Sequence, residues 1–175
     1  RKEKKVSHHH FHDLPELLPT DLFIFRNDVS VLKARLTGKR PTGGTVECLL
    51  LRPTGTLENT WRCLLKPGGK TARAGSFSLP GEYEATVVES LPSGEYLVEF
   101  DLPKDDDPAG LAQRIGALPL PPYVHRPADE TDDLRYQTVY ANSESRTAVA
   151  APTAGLHFTE ETFNGLKDKG HSIHD

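Results

Sequence analysis

Between Val29 and Phe100 the chain breaks into short apolar runs, each closed by Gly, Pro, Asn or Ser. That spacing constrains the fold more than any other feature. Val29–Leu36, Val46–Leu51, Trp61–Leu65, Phe77–Leu79, Tyr83–Val88 and Tyr96–Phe100 read as strands. Strands this short and regularly spaced argue for a small barrel or sandwich, not for alternating strand and helix. Pro41-Thr42-Gly43-Gly44 and Pro92-Ser93-Gly94 carry the clearest hairpin signals. Fourteen Gly and fourteen Pro in 175 residues supply the turns that such a series needs.

Helical signals begin where the strand series ends. Asp107 is placed as an N-cap with Pro108 in the first helical position, which predicts a helix through Ile115 that stops at Gly116. Leu118-Pro-Leu-Pro-Pro-Tyr123 follows, and its prolines impose an extended path. It reads as a rigid connector or as a ligand for an SH3-type domain, with Leu and Tyr beside the prolines favouring packing. Residues 129–133 are acidic. In Arg135-Tyr-Gln-Thr-Val-Tyr-Ala141 the two tyrosines are four apart, so they share a face on a helix and on a strand alike.

The stretch Ala148-Val-Ala-Ala-Pro-Thr-Ala-Gly-Leu-His-Phe158 predicts a small-residue strand that bends at Gly155 and meets a helix. Thr159 is the N-cap, Glu160 and Glu161 sit at the positive end of the dipole, and Phe158 with Phe163 forms a hydrophobic staple. Lys167, Lys169 and Gly170 mark the end of a helix near 160–169. Small side chains let a ligand or another backbone come close, so the bend is either a ligand site or a buried connection.

The N-terminal region offers less. Residues 6–12 contain four histidines and read as a tag remnant, a metal site or an edge strand; on a strand the three adjacent rings alternate faces and cannot all bind one metal without outside ligands. Asp13 is expected to cap a short helix through Leu18, and Leu22–Phe25 to form a buried strand. Lys66-Pro-Gly-Gly-Lys-Thr-Ala-Arg73 is a basic loop that either tracks phosphates or is solvated. A net charge of −4 gives no global basic signature, so a polyanion would have to meet a local patch. Two cysteines are too few for a disulfide framework or a zinc site of their own and suit a reducing cytoplasm. No apolar run approaches the ~20 residues of a membrane span. The chain begins Arg1-Lys-Glu-Lys-Lys5 and stops at Asp175 where a strand is due, so it reads as a piece of a longer protein.

Leu118–Arg126, Arg135–Ala141 and Ala148–Phe158, in that order, closely resemble the S-adenosylmethionine:tRNA ribosyltransferase-isomerase family of queuosine biosynthesis. Asn27–Leu36, Thr42-Gly43-Gly44 and Lys66-Pro67-Gly68 resemble its earlier blocks more loosely. The resemblance implies an α+β fold in which a small β-barrel is inserted into an α/β domain. Residues 1–35 and 123–175 would supply the α/β part, 36–122 the barrel, and a C-terminal part would be missing. It also implies an enzyme that moves the ribosyl moiety of S-adenosylmethionine onto a 7-aminomethyl-7-deazaguanine at the tRNA wobble position, giving epoxyqueuosine.

In that reading S-adenosylmethionine is a co-substrate, no cofactor or metal is bound, the anticodon arm of tRNA is the partner, and the protein is a cytoplasmic monomer with no membrane role. The rivals are a non-catalytic RNA-binding module and a paralogue acting on another nucleobase. His157 is the candidate general base, because imidazole titrates near neutrality, or else it bonds backbone in the turn. Thr153 with the turn amides is placed to orient the methionine carboxylate. Pro152, Ala154, Gly155, Phe158, Arg135, Tyr136, Gln137 and Tyr140 are the candidate substrate-binding residues, and Tyr123, Tyr136, Tyr140 and Phe158 the candidate base stackers. Lys66, Lys70 and Arg73 are the candidate RNA contacts. Arg135 and Arg126 either meet phosphate or carboxylate or pair with nearby aspartates. Two positions depart from the family pattern: Ser30 stands where an arginine is expected, and Thr147 where a glycine is.

Overall fold

The computed structural model describes residues 6–55, 59–69, 75–121 and 123–175, with 144–148 as backbone. Its centre is a closed six-stranded barrel of β3 (Arg35–Lys39), β4 (Thr45–Pro53), β5 (Thr60–Lys66), β6 (Gly75–Leu79), β7 (Tyr83–Ser90) and β8 (Tyr96–Asp101). The strands run antiparallel in the order β3-β4-β5-β8-β7-β6, and Lys39 opposite Ser78 closes the ring. Alternation explains the choice of barrel. Leu36, Val46, Cys48, Leu50, Cys63, Phe77, Ala85, Val98 and Phe100 point inward and are buried, while their neighbours face out. Irregular pairing between Leu50 and Arg52, and between Val87 and Glu89, lets long strands curve around the ring. Gly43 and Gly94 turn two hairpins with φ of 86°, a conformation that favours glycine.

One end of the barrel is covered by α2 (Pro108–Ile115), whose Leu111 and Ala112 are buried with Leu32 and Ala34. Asp107 caps it as the sequence predicts, accepting from the Gly110 N–H at 2.5 Å, and Arg114 pairs with Asp106 at 2.6 Å. At Gly116 a Cβ would collide with the Lys33 carbonyl oxygen, so glycine allows this approach. The expected strand Val29–Leu36 is accordingly two strands: Leu32–Ala34 leaves the ladder to enter the core beneath α2.

The segments flanking the barrel pair with each other. β1 (Phe23–Phe25) lies parallel to β10 (Ser172–His174), and β2 (Val29–Val31) parallel to β9 (Asn142–Ala148). A smaller core of Val31, Leu118 and Ala151 joins β2 to the proline-rich segment, against which Leu120, Tyr136 and Leu156 pack. Leu118 and Leu120 thus pack as expected, whereas Tyr123 is exposed and residue 122 lies outside the described residues. α4 (Glu160–Asp168) has the predicted Thr159 cap, staple and Gly170 stop, with φ of 84° at Gly170. It meets α1 (Leu14–Leu17) through Gly165 on Pro15 and Lys169 to Glu16 at 2.8 Å.

Several local expectations are corrected. Phe23 and Phe25 are 72% and 77% exposed; β1 pairs with β10, and each ring lies against His174. Asp13 does not cap α1 with its side chain; it accepts from the His10 N–H at 2.9 Å, one turn earlier. Residues 6–10 form no strand, and the rings of His10 and His12 stack 5.2 Å apart. The strand expected to start at Ala148 instead ends there, since β9 begins in the polar run at Asn142. α3 (Glu130–Arg135), with Asp129 as its N-cap, lies in the acidic stretch.

Candidate functional site

Pro152 starts the bend. Its carbonyl accepts from the Gly155 N–H at 2.7 Å, and the Gly155 carbonyl accepts from the Phe158 N–H at 3.1 Å, closing a 3-10 turn over Thr153–His157. The predicted small-residue bend is therefore a compact helical turn. Its interior face is closed by contact: a Cβ at Gly155 would strike the Tyr140 hydroxyl and stand 2.9 Å from the Thr138 methyl. Its exterior face is open, with Thr153, Ala154 and His157 exposed and Pro152 half-buried.

Aromatic packing fixes the far end of the turn. Phe158 stacks on Phe163 at 4.8 Å between ring centres and takes the edge of Phe11 at 4.8 Å; Phe11 also lies 5.4 Å from the His157 ring. Tyr140 meets Phe163 edge-on at 5.3 Å. The Arg26 guanidinium sits 4.6 Å above Tyr140 and 5.1 Å from the Phe163 centre, and Asp175 holds it at 2.5 Å. That hydrogen bond raises the Arg26 pKa, whereas burial raises that of Tyr140. Phe11, Arg26 and Phe163 complete this aromatic cluster and carry no local motif that marks them, because their partners lie far away in sequence.

Not every candidate reaches this cluster. Gln137 is taken up by β2: its Oε1 accepts from the Val31 N–H at 2.9 Å and its Nε2 donates to the Val31 carbonyl at 2.9 Å. Tyr136 is half-buried in the small core with its hydroxyl against the Ala151 backbone, and burial raises its pKa. Tyr140 joins the turn through Gly155. Arg126 pairs with Asp132 at 2.5 and 2.8 Å and with Asp129 at 3.3 Å. Arg135 stands exposed at the end of α3, its charge adding to that of Arg126 on Asp132. Tyr123 is 72% exposed.

Two clefts flank the region. One of about 790 Å³ lies between the barrel wall and the proline-rich segment, with Arg35, Lys66, His125 and Arg126 around it. Lys66 is exposed there, while Lys70 and Arg73 lie outside the described residues. The other, about 320 Å³, is lined by Ser30, Lys33, Gln113, Asp133, Gln137 and Thr138 among others. The turn residues 152–158 line neither. Ser30 is buried, and its hydroxyl donates weakly to Gln137 at 3.4 Å. Away from both clefts, His10, His12 and Asp13 bring three exposed or half-buried groups capable of binding metal within 4.8 Å of one another. No helix of the described residues is long and apolar enough to cross a membrane.

Comparison with known proteins adds the following. The family described as queuosine biosynthesis protein matches residues 1–175. A relative from Trichlorobacter lovleyi is 43% identical over 88% of this chain and 43% of its own length. One from Pelobacter propionicus is 43% identical over 97% of this chain and 48% of its own, and one from Aquifex aeolicus 36% identical over the same shares. All three are named S-adenosylmethionine:tRNA ribosyltransferase-isomerase. A solved S-adenosylmethionine tRNA ribosyltransferase from Thermotoga maritima has a TM-score of 0.38 and 22% identity over 94% of this chain and 42% of that one. The chain thus spans about half the length of the curated relatives it matches.

Proposed function

This chain belongs to the queuosine biosynthesis protein family, and on that premise we propose that it acts within an S-adenosylmethionine:tRNA ribosyltransferase-isomerase. The match across all 175 residues carries the reading. The reaction transfers the ribosyl moiety of S-adenosylmethionine to the aminomethyl group of a 7-deazaguanine at the wobble position of tRNA. Adenine and methionine leave, and the product is epoxyqueuosine. S-adenosylmethionine enters as co-substrate, the tRNA partner is met at its anticodon arm, and the protein works as a cytoplasmic monomer.

The exposed face of the 152–158 turn is assigned to one wall of the nucleoside pocket. His157 removes the proton that the chemistry must lose, from the carbon beside sulfur or from the amine. Thr153 orients the substrate beside it, and Pro152, Ala154, Gly155 and Phe158 shape the surface. Tyr140, Tyr136 and Gln137 hold that surface against β2 and the small core, and Arg135 is left open to solvent for an anionic group. Lys66, at the edge of the larger cleft, is assigned to RNA along with Lys70 and Arg73, whose cations would displace counterions from the phosphate backbone. The domain assignment goes with this: a barrel over 36–122, carried by an α/β body made from 1–35 and 123–175.

Adenine release measured with the whole protein, S-adenosylmethionine and precursor tRNA tests the proposal. Adenine appearing only when both substrates are present supports it. tRNA binding without adenine release would leave an RNA-binding module instead.

A further inference from the structure

The 320 Å³ cleft is bounded by β2, α2, α3 and the 137–143 segment, and its lining carries two charges of opposite sign. Lys33 Nζ and Asp133 Oδ2 are 2.5 Å apart and both side chains are only partly covered, so solvent or a solute can reach the pair. Around them stand the neutral polar side chains of Ser30, Gln113 and Thr138. Gln137 has spent its amide on Val31 and serves as wall. Thr138 is buried, with its side chain against Tyr140.

The charge balance narrows the ligand. A lone phosphate or carboxylate on Lys33 would lie beside Asp133 and be repelled, and a lone amine would meet Lys33. A zwitterion with its two charges on one carbon has neither problem. Each of its charges can replace one half of the existing ion pair, so no unpaired charge is buried. We propose that this cleft takes the α-amino-acid head group of the co-substrate, with the carboxylate on Lys33 and the ammonium on Asp133. The assignment rests on the S-adenosylmethionine reading above. It moves the carboxylate away from Thr153, which is exposed and offers a single neutral hydroxyl. Thr138 lines the cleft, and its methyl lies 2.9 Å from the position of a Cβ on Gly155, at the back of the turn.

Equilibrium binding of S-adenosylmethionine and its decarboxylated analogue to the whole protein separates the possibilities. The unaltered protein is expected to prefer the carboxylated compound by about tenfold or more, the range of a charge-assisted hydrogen bond. Lys33→Ala should bring the two affinities to within about threefold, and Lys33→Arg should restore most of the preference. Asp133→Asn should in the same way erase the preference for S-adenosylmethionine over a deaminated analogue. If Lys33→Ala binds S-adenosylmethionine and keeps the full preference, the cleft assignment is wrong while the enzyme reading stands. Binding of neither compound to the unaltered protein would overturn both.

Discussion

Gln137 holds both backbone polar groups of Val31, 106 residues away, with two hydrogen bonds of 2.9 Å. A side chain here does what a neighbouring strand would do, and it does so where β2 and β9 pair irregularly. The segment carrying Thr138 and Tyr140 is thereby fixed to β2, and through Tyr140 to the back of the turn. Gln137, which the sequence pattern nominates for substrate, spends its side-chain amide on the backbone of β2.

Replacing that amide tests the clamp. Gln137→Ala leaves the Val31 N–H and carbonyl without their partner and should lower stability by about 1–3 kcal/mol. Gln137→Glu keeps the acceptor but sets a carboxylate oxygen against the Val31 carbonyl, and should be no better than alanine. Urea denaturation of both variants measures this.

Gly155 and Tyr140 should be coupled. Gly155→Ala drives a methyl into the Tyr140 hydroxyl and should cost about 1–3 kcal/mol, the usual range for overpacking. Tyr140→Phe removes the hydroxyl, so the double variant should be more stable than the two single costs added together. Rescue should be partial, since the Thr138 methyl at 2.9 Å and the Tyr140 ring at 3.1 Å remain in the way.

Acid should release α3 late. The Arg126 guanidinium, helped by the Asp129 backbone N–H, holds Asp132 down at about 2. A depressed carboxylate contributes its full stabilisation above the unfolded value near 4 and loses it as pH falls through 2. Carboxyl NMR should therefore show Asp132 titrating near pH 2. In Arg126→Ala its midpoint should move up toward the ordinary range, with the end of α3 loosening at correspondingly higher pH.

What could be read from the sequence was what depends on near neighbours. The Asp107 and Thr159 caps, the Phe158–Phe163 staple and the Gly170 stop are contacts within a few residues, and they lie where the pattern puts them. The barrel strands were legible because one face of each is buried, which writes a period of two into the sequence. β9 was not, since Asn142–Ala148 joins the sheet through its backbone without an apolar face to announce it. Neither was the choice between Arg126 and Arg135 for Asp132, nor the seat of Arg26 over Tyr140 and Phe163. Those are decided by distances across the fold, and no local spacing encodes them.

The Arg26 seat makes a separate prediction. Arg26→Lys retains the charge but loses the planar fork that binds Asp175 and covers two rings. It should lower stability by roughly 0.5–2 kcal/mol, and Arg26→Ala by more. Thermal unfolding of the pair measures this, and equal stability of the lysine variant and the parent would mean that charge alone matters there.

The most direct test of the account is the rate of adenine release by His157→Ala, with saturating S-adenosylmethionine and precursor tRNA. If the open face of the turn is where the proton is taken, kcat should fall by ~10²–10⁴ while tRNA affinity is kept. A loss of only a few-fold, with binding intact, would contradict the placement of the reaction at this turn.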